Sequence, residues 1–320
     1  MQTPPVLESR PPDLPTRPAL PSTKPTRPWV TYAVIAVCAF VFLGLNMESN
    51  PDTWEALEKW GVCSPDKVWK GAYWSLISSV AVHRAIWHLA FNMYWLAVLG
   101  TRLEYAIGSI WYLVLLLAAA VVSSGCELAV ADTTGHGASG VVYAIFGFML
   151  VLRDRFPGFR EVVSRQTIQL FIAWLVICMA TTYMNVWQVG NAAHLSGLLF
   201  GSAIAAVFVL KYKRALLVPA LITLVLVSVV PVFWCPWSTT WLGVQATRAY
   251  VAGNNEQAID YYGRLISKAP NAAWAYYNRG CSYYELGEDE KAKADFSQAA
   301  KIDPKYTLPG RKPGNNKESQ

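Results

Sequence analysis

The sequence has few charged residues and no closely spaced pair of cysteines. Only 15% of its 320 residues are charged, whereas 54% are hydrophobic and occur in long blocks. This composition excludes a globular enzyme of this length and indicates a polytopic membrane protein with a soluble appendage. The net charge of +6 is unevenly spread, so it reports on membrane topology and does not indicate nucleic-acid binding.

The six cysteines are scattered without a C-x-x-C pair. Three of them lie inside apolar blocks, where a thiol behaves as a small hydrophobic side chain. We therefore expect no disulfide framework, no metal site and no cofactor. No charged-then-apolar segment with a small-residue cleavage site opens the sequence, so we also expect no removable signal peptide.

The apolar blocks predict an all-α architecture. Residues 1–28 contain nine prolines and are expected to form an extended, mobile tail. Most of the spans that follow approach the ~20 residues needed to cross a bilayer; the fourth is short, as expected for a helix that begins below the membrane surface. The seven spans are Trp29–Leu45, Ala85–Leu103, Ile110–Val130, Ser139–Leu152, Ile168–Val186, Ala192–Leu210 and Ala215–Trp234. The first six make up a core over 29–210, and the seventh is a further transmembrane helix over 215–234.

Lysine and arginine in the connections indicate orientation. The N-terminal tail, Arg102, the 152–167 connection and the turn at 211–214 are basic, and all lie on one side of the membrane. We therefore expect a cytoplasmic N-terminus and place everything after Trp234 outside the cytoplasm.

The segment after the last span is a repeat. Ala273–Tyr306 has the 34-residue length and the small and aromatic positions of a tetratricopeptide unit, and Thr239–Ala272 repeats it in phase. We expect two such repeats over 239–306, which bind a partner or a substrate segment, and a disordered tail over 307–320. A generic helical hairpin is the simpler alternative.

The residues that carry chemistry begin with Ser139. It lies between Gly137 and Gly140 at the start of the short fourth span. The glycines permit a sharp turn and leave room for a substrate, and the first N–H groups of the helix lack intrahelical partners. Ser139 is therefore a candidate nucleophile, although small-residue helix packing would also explain a lone G-x-S-G.

His194, in the sixth span, is the candidate base for that serine. Gly197 and Gly201 follow on its own helical face, so that helix can approach the small face of the Ser139 helix. The alternative is a helix-packing motif with a histidine that only bonds a carbonyl. His88 and Asn92 share one face of the second span. They fit donors to an oxyanion, or else an interhelical hydrogen bond.

These motifs together resemble the rhomboid family of intramembrane serine proteases. The resemblance rests on His83-x4-His88-x3-Asn92, on Gly137-Ala-Ser-Gly-Val-Val-Tyr143 and on Ala193-His-Leu-Ser-Gly197-x3-Gly201, and covers about Trp29 to Leu210. It implies a six-helix core and a Ser–His dyad without a third acid, which cleaves membrane-spanning substrates. The resemblance also implies a protein in the lipid bilayer. The added helix and the repeats resemble those of bacterial rhomboids, so we expect a bacterial plasma membrane.

The resemblance assigns roles to individual residues. It implies that Ser139 is the nucleophile, His194 the general base, and His88, Asn92 and the Ser139 N–H the oxyanion donors. It also implies that Tyr143 stacks beside the histidine and that His83, Glu104 and Gly108 are structural. The family often carries Trp-Arg in the first loop, where this chain has Trp74-Ser75. This difference leaves the anchoring of that loop open.

Two other classes of protein compete with a protease. A catalytically silent relative that escorts membrane clients would usually lack the serine or the histidine, and this chain has both. A transporter or channel would be expected to show paired halves or acidic groups at mid-membrane, and neither pattern was found in the sequence.

Overall fold

The computed structural model describes residues 27–306, and these residues are helical, with no strand among them. The predicted tails over 1–28 and 307–320 lie outside the described residues, apart from Arg27 and Pro28. The all-α fold class predicted from the sequence is confirmed.

Sixteen α-helices follow one another along the described residues. The membrane-domain helices are α1 (Trp29–Asn46), α2 (Trp54–Lys59), α3 (Pro65–Trp69), α4 (Ser75–Ser78), α5 (Ile86–Trp95), α6 (Thr101–Ile107), α7 (Ser109–Ala131), α8 (Ser139–Leu152), α9 (Pro157–Val162), α10 (Arg165–Tyr183), α11 (Asn191–Val209) and α12 (Arg214–Phe233). The C-terminal helices are α13 (Thr239–Val251), α14 (Asn255–Lys268), α15 (Ala273–Glu285) and α16 (Asp289–Ile302). Short 3₁₀ turns occupy Ser79–Ala81, Lys211–Lys213 and Pro304–Tyr306, and a π-helical turn occupies Leu96–Gly100.

Five of these helices are long and apolar enough to cross a membrane: α1, α7, α10, α11 and α12. The predicted fourth span is the shorter apolar helix α8, with the predicted bounds. The predicted second span is not one regular α-helix. It consists of α5, the π-helical turn and α6, which run without a break from Ile86 to Ile107.

Helix α8 lies at the centre of the membrane domain. Eleven of its residues are buried, and it packs against α11 along most of its length. Helix α7 contacts both α8 and α11 on another side. A helix that is apolar all round is stable only when other elements surround it. The residue that begins α8 is therefore held by a helix that its neighbours surround.

A buried carboxylate joins α1, α6 and α7 at one end of the domain. Glu104 accepts hydrogen bonds from the Val30 and Thr31 N–H groups at 3.0 and 2.8 Å, and from the Thr31 and Ser109 hydroxyls at 2.7 and 2.6 Å. The two N–H groups belong to the first turn of α1, which has no side-chain cap of its own. A carboxylate satisfies such free donors and complements the helix dipole. Gly108, with φ +83°, makes the turn into α7.

The connection between α1 and α5, here called the first loop, is held by its own polar contacts. Ser75, which stands where the family often has arginine, is fully buried. Its hydroxyl accepts a hydrogen bond from the Cys63 N–H at 2.9 Å. The loop is thus tied internally at the position that the sequence left open.

The C-terminal helices pack directly on the first loop. Trp69 at the end of α3 is 3% exposed, and its indole N–H donates to the Pro231 carbonyl of α12 at 3.0 Å. The Arg248 guanidinium of α13 donates to the Trp69 carbonyl at 3.3 Å. Trp69 shares one apolar cluster with Val232, Trp241 and Leu242, among others. The C-terminal helices and the membrane domain therefore share a hydrophobic core.

The C-terminal helices form two hairpins with the same turn. In each hairpin a glycine with positive φ lies two residues after the end of the first helix, Gly253 at +79° and Gly287 at +74°. In the second hairpin, the Arg279 guanidinium donates two hydrogen bonds to the Asp295 carboxylate, at 2.7 and 2.8 Å. The hydrogen bonds with Asp295 are the largest cause that raises the pKa of Arg279. The pair joins α15 to α16.

Candidate active site

The chain turns sharply before Ser139, and only glycine suits that turn. Gly137 has φ +101°, a conformation that L-residues with a Cβ rarely adopt. A Cβ at this position would also lie 2.5 Å from Cε1 of His88. The Gly137 N–H donates to the Ser79 carbonyl at 3.0 Å. The turn is thereby fixed to the first loop on one side and to α5 on the other.

His83 holds the next residue of the turn. Its Nε2 accepts the Ala138 N–H at 3.3 Å, and its Nδ1 lies 3.2 Å from the Ala81 carbonyl. This pattern requires the neutral imidazole with the proton on Nδ1. Burial, and then repulsion from the neighbouring His88, lowers the pKa of His83 to about 3. The neutral form that the hydrogen bonds need is therefore the stable one at neutral pH.

Helix α8 begins with free N–H donors beside Ser139. Ala138 at its N-cap provides no side-chain hydrogen bond to the helix. The first N–H groups of a helix have no intrahelical acceptor, and the helix dipole makes this end favourable for negative charge. The Ser139 N–H and its neighbours are thus available to an anion.

The hydroxyl of Ser139 lies 2.7 Å from Nε2 of His194, on α11. This distance is a hydrogen bond of the length expected between a nucleophile and its base. His194 is 3% exposed, and within residues 27–306 its Nδ1 has no hydrogen-bond partner. The imidazole is therefore not oriented by a carboxylate on its second nitrogen.

Glycines let α8 and α11 approach with their backbones in contact. A Cβ on Gly197 would lie 2.1 Å from the Gly140 carbonyl oxygen, and one on Gly201 would lie 1.9 Å from that of Ala144. Real Cβ atoms essentially never come closer than 3.0 Å. The short distance between Ser139 and His194 depends on this contact.

Tyr143 lies one turn below Ser139, and its ring packs at a tilt against that of the histidine. Its ring centroid is 4.9 Å from that of His194, with 31° between the planes. Its hydroxyl donates to the Phe171 carbonyl of α10 at 2.9 Å. The tyrosine therefore supports the imidazole and ties it to α10.

His88 and Asn92 line the same cavity as Ser139 and His194. The Asn92 side-chain NH₂ donates to the His88 carbonyl at 3.0 Å, while its Oδ1 has no partner within residues 27–306. An NH₂ group has a second hydrogen that this bond does not use. Both side chains thus lie in the wall of the cavity that holds Ser139.

The cavity has a volume of about 840 Å³, and its wall includes residues of α5, α7, α8, α10 and α11. Trp87 of α5 and Trp187, which precedes α11, lie in this wall with ring centroids 4.5 Å apart. Its size is in the range of ligand sites. It can hold an extended peptide segment and water beside the serine.

Glu127 of α7 is one of the wall residues that the sequence did not bring out. It is 5% exposed and accepts the Ala193 N–H at 3.0 Å, directly before His194. It is the only charged residue of this 23-residue helix. An isolated acid in an apolar span is costly, and this signal would have identified it.

Within residues 27–306 no cluster of ligands could hold a metal ion.

Comparison with known proteins identifies both parts of the chain. Residues 70–211 match the rhomboid domain, and residues 244–272 and 273–306 each match a tetratricopeptide repeat. The chain therefore contains a rhomboid domain followed by tetratricopeptide repeats, and it is an integral membrane protein.

The chain is similar to the rhomboid protease GlpG of several Salmonella strains. It is 25% identical over 185 residues to the proteins of Salmonella choleraesuis (strain SC-B67), Salmonella paratyphi A (strain ATCC 9150 / SARB42) and Salmonella newport (strain SL254). The alignment covers 58% of this chain and 65% of each relative. It thus spans less than two thirds of the relatives' length.

Proposed function

We propose that this protein is an intramembrane serine endopeptidase that cleaves transmembrane substrates through an acyl-enzyme. The observation that carries the proposal is the 2.7 Å contact between Ser139 Oγ and His194 Nε2 in a cavity at an uncapped helix N-terminus. The rhomboid domain and the similarity to rhomboid proteases support it. An escort protein without catalytic activity would need no such contact.

The proposed reaction is acyl transfer. His194 Nε2 takes the proton of the Ser139 hydroxyl while Ser139 Oγ attacks the peptide carbonyl. The oxyanion is stabilised by the Ser139 N–H, His88 and Asn92. His194 then protonates the leaving amine, and a water molecule, deprotonated by the same imidazole, hydrolyses the ester.

The length of α8 supports cleavage below the membrane surface. Its 14 residues span about 21 Å at the rise of an α-helix, which is about 9 Å less than a bilayer core. If α8 ends at one surface, Ser139 lies below the other. A substrate helix must unwind to expose a carbonyl there, so we expect cleavage near small or helix-breaking residues.

We further propose that the domain over 239–306 lies outside the cytoplasm and binds a protein partner or substrate segment. Helix α13 packs on the first loop, so the repeats lie on the same side of the membrane as that loop. The basic connections indicate that this side is the outer one. A groove between α3, α13 and α15 includes Asp66, Lys70 and Trp274 in its wall.

The test is cleavage of a model membrane substrate in detergent, together with labelling by a serine-reactive phosphonate. We expect Ser139→Ala to abolish both cleavage and labelling. Ser196→Ala is the matched control. Ser196 lies on the His194 helix, and within residues 27–306 its hydroxyl bonds only carbonyls of its own helix. Full activity of the Ser139 variant would exclude this residue as the nucleophile, and an unlabelled wild type would favour the escort function.

A further inference from the structure

The start of the His194 helix has no cap of its own. Helix α11 begins at Asn191, and Gly190 before it offers no side-chain acceptor. The Asn191 N–H donates to the Val189 carbonyl at 2.8 Å. The next N–H groups need an acceptor from elsewhere, because an unpaired N–H that is shielded from water is costly. His194 lies within this first turn.

Glu127 supplies that acceptor from α7. Its Oε2 accepts the Ala193 N–H at 3.0 Å. The side chain is also enclosed by the two neighbouring loops, since a Cβ on Gly135 or Gly190 would lie 3.4 Å from it. A carboxylate at this end of a helix gains both a charge-assisted hydrogen bond and the attraction of the helix dipole.

Besides its contacts with Ser139 and Tyr143, the imidazole of His194 depends on the backbone of α11 for its position. Its Nδ1 has no partner within residues 27–306, and no hydrogen bond joins Glu127 to the ring there. In a Ser-His-Asp triad a carboxylate orients the base through the ring itself. Here the carboxylate contacts the residue before the base.

We propose that Glu127 is a positioning residue, which fixes the first turn of α11 and so holds His194 within reach of Ser139. The inference rests on the proposed function and adds to it the group that replaces the missing third acid. Glu127 acts through the Ala193 N–H and does not contact the substrate. The property that matters is an acceptor oxygen at this point.

The experiment compares Glu127→Ala and Glu127→Gln, with Glu55→Gln in the first loop as the matched control. Each variant is assayed for kcat and KM on a model membrane substrate, for the rate of phosphonate labelling, and for Tm. Labelling counts the competent sites, so a loss of folded protein is separated from a loss of rate per site.

We expect Glu127→Ala to lower kcat and the labelling rate about 10- to 100-fold with KM little changed, as a misplaced base does. Glu127→Gln should retain most of the rate, because its amide oxygen can accept the same N–H. If the alanine variant does not fold, Glu127→Asp gives the test, since its shorter side chain withdraws the acceptor. The aspartate variant should then show the same loss of kcat.

Two results would overturn the inference. One is a wild-type rate per labelled site in Glu127→Ala, and the other is an equal loss in Glu127→Gln, which would mean that charge and not the acceptor matters. If the wild type itself is not labelled, the proposed function fails, and the role of Glu127 in positioning a base fails with it. Hydrogen exchange at the Ala193 amide would then still report whether Glu127 caps the helix.

Discussion

Replacing Gly201 by alanine should separate the stability of this protein from its activity. Gly201 lies two turns after His194, at the closest contact between α11 and α8. The added Cβ would lie 1.9 Å from the Ala144 carbonyl oxygen, about 1.1 Å inside the shortest distance that real Cβ contacts reach. Because the obstacle is a backbone atom, no change of side-chain rotamer can relieve it, and the helices must move apart.

The free energy of this change is modest. Overpacking of a core costs about 1–3 kcal/mol, and alanine gains about 1 kcal/mol over glycine in a helix. The net loss of about 0–2 kcal/mol is small beside the stability of a typical domain, about 5–15 kcal/mol. We therefore expect Gly201→Ala to fold.

The effect on catalysis is larger. A shift of about 1 Å between the helices changes the 2.7 Å contact between Ser139 and His194, and a misplacement of this size can cost about 100-fold in rate. We expect a loss of about 30- to 100-fold in kcat and in phosphonate labelling. The assay is cleavage of a model substrate in detergent, with Tm measured on the same samples.

Gly158→Ala is the matched control, because a Cβ there meets no atom within 4 Å. It should leave kcat and labelling unchanged. A wild-type rate in Gly201→Ala would refute the argument that the backbone contact sets the geometry of the dyad. A loss of activity that follows only the loss of folded protein would refute it as well.

Two further predictions concern stability. Burial lowers the pKa of His83, which is fully buried, to about 3. The unfolded chain therefore binds more protons below pH ~6.5, and stability should fall as the pH drops from about 6.5 to 4. Between pH 7 and 4.5 the His83→Gln variant should lose about 2 kcal/mol less stability than the wild type, measured as a smaller fall in Tm. Equal profiles of Tm against pH for the two proteins would contradict this. Trp69→Ala should lower the free energy of unfolding by about 3–5 kcal/mol and expose the 234–238 connection to protease. Trp74→Ala, at a 63% exposed position, should do neither. Equal proteolysis of the two variants would contradict the shared core.

The sequence predicted the elements of this fold better than the contacts between them. The apolar runs identified the five long helices and the bounds of α8, because hydrophobicity alone decides which segments can cross a bilayer. The π-helical turn after Trp95 was not predicted, since such a turn depends on the packing around it. The contact of α13 with the first loop was not predicted either, because the repeat pattern shows which side chains are apolar but not which surface they meet.

The residues of the candidate site also fall into those that the sequence predicted and those that it did not. Spacing predicted Ser139, His194, His88 and Asn92 as candidate site residues, and the structure brings all four to one cavity; their roles stay predictions. Glu127 was missed because its span carries none of the motifs, although an isolated acid in an apolar span is itself a signal. Its contact with the Ala193 N–H, 66 residues away, could not have been predicted. A long-range backbone contact leaves no periodic signal in a sequence.

The cluster around Trp69 has a consequence for how this chain can be divided. Cutting before Trp241 would remove the side chains that cover α3 and the end of α12, and would leave an apolar patch where the first loop meets water. A change in the activity of such a fragment could come from the damaged first loop as well as from the missing repeats. Point changes in the exposed groove beside Trp274 would instead test the repeats while every helix stays in place.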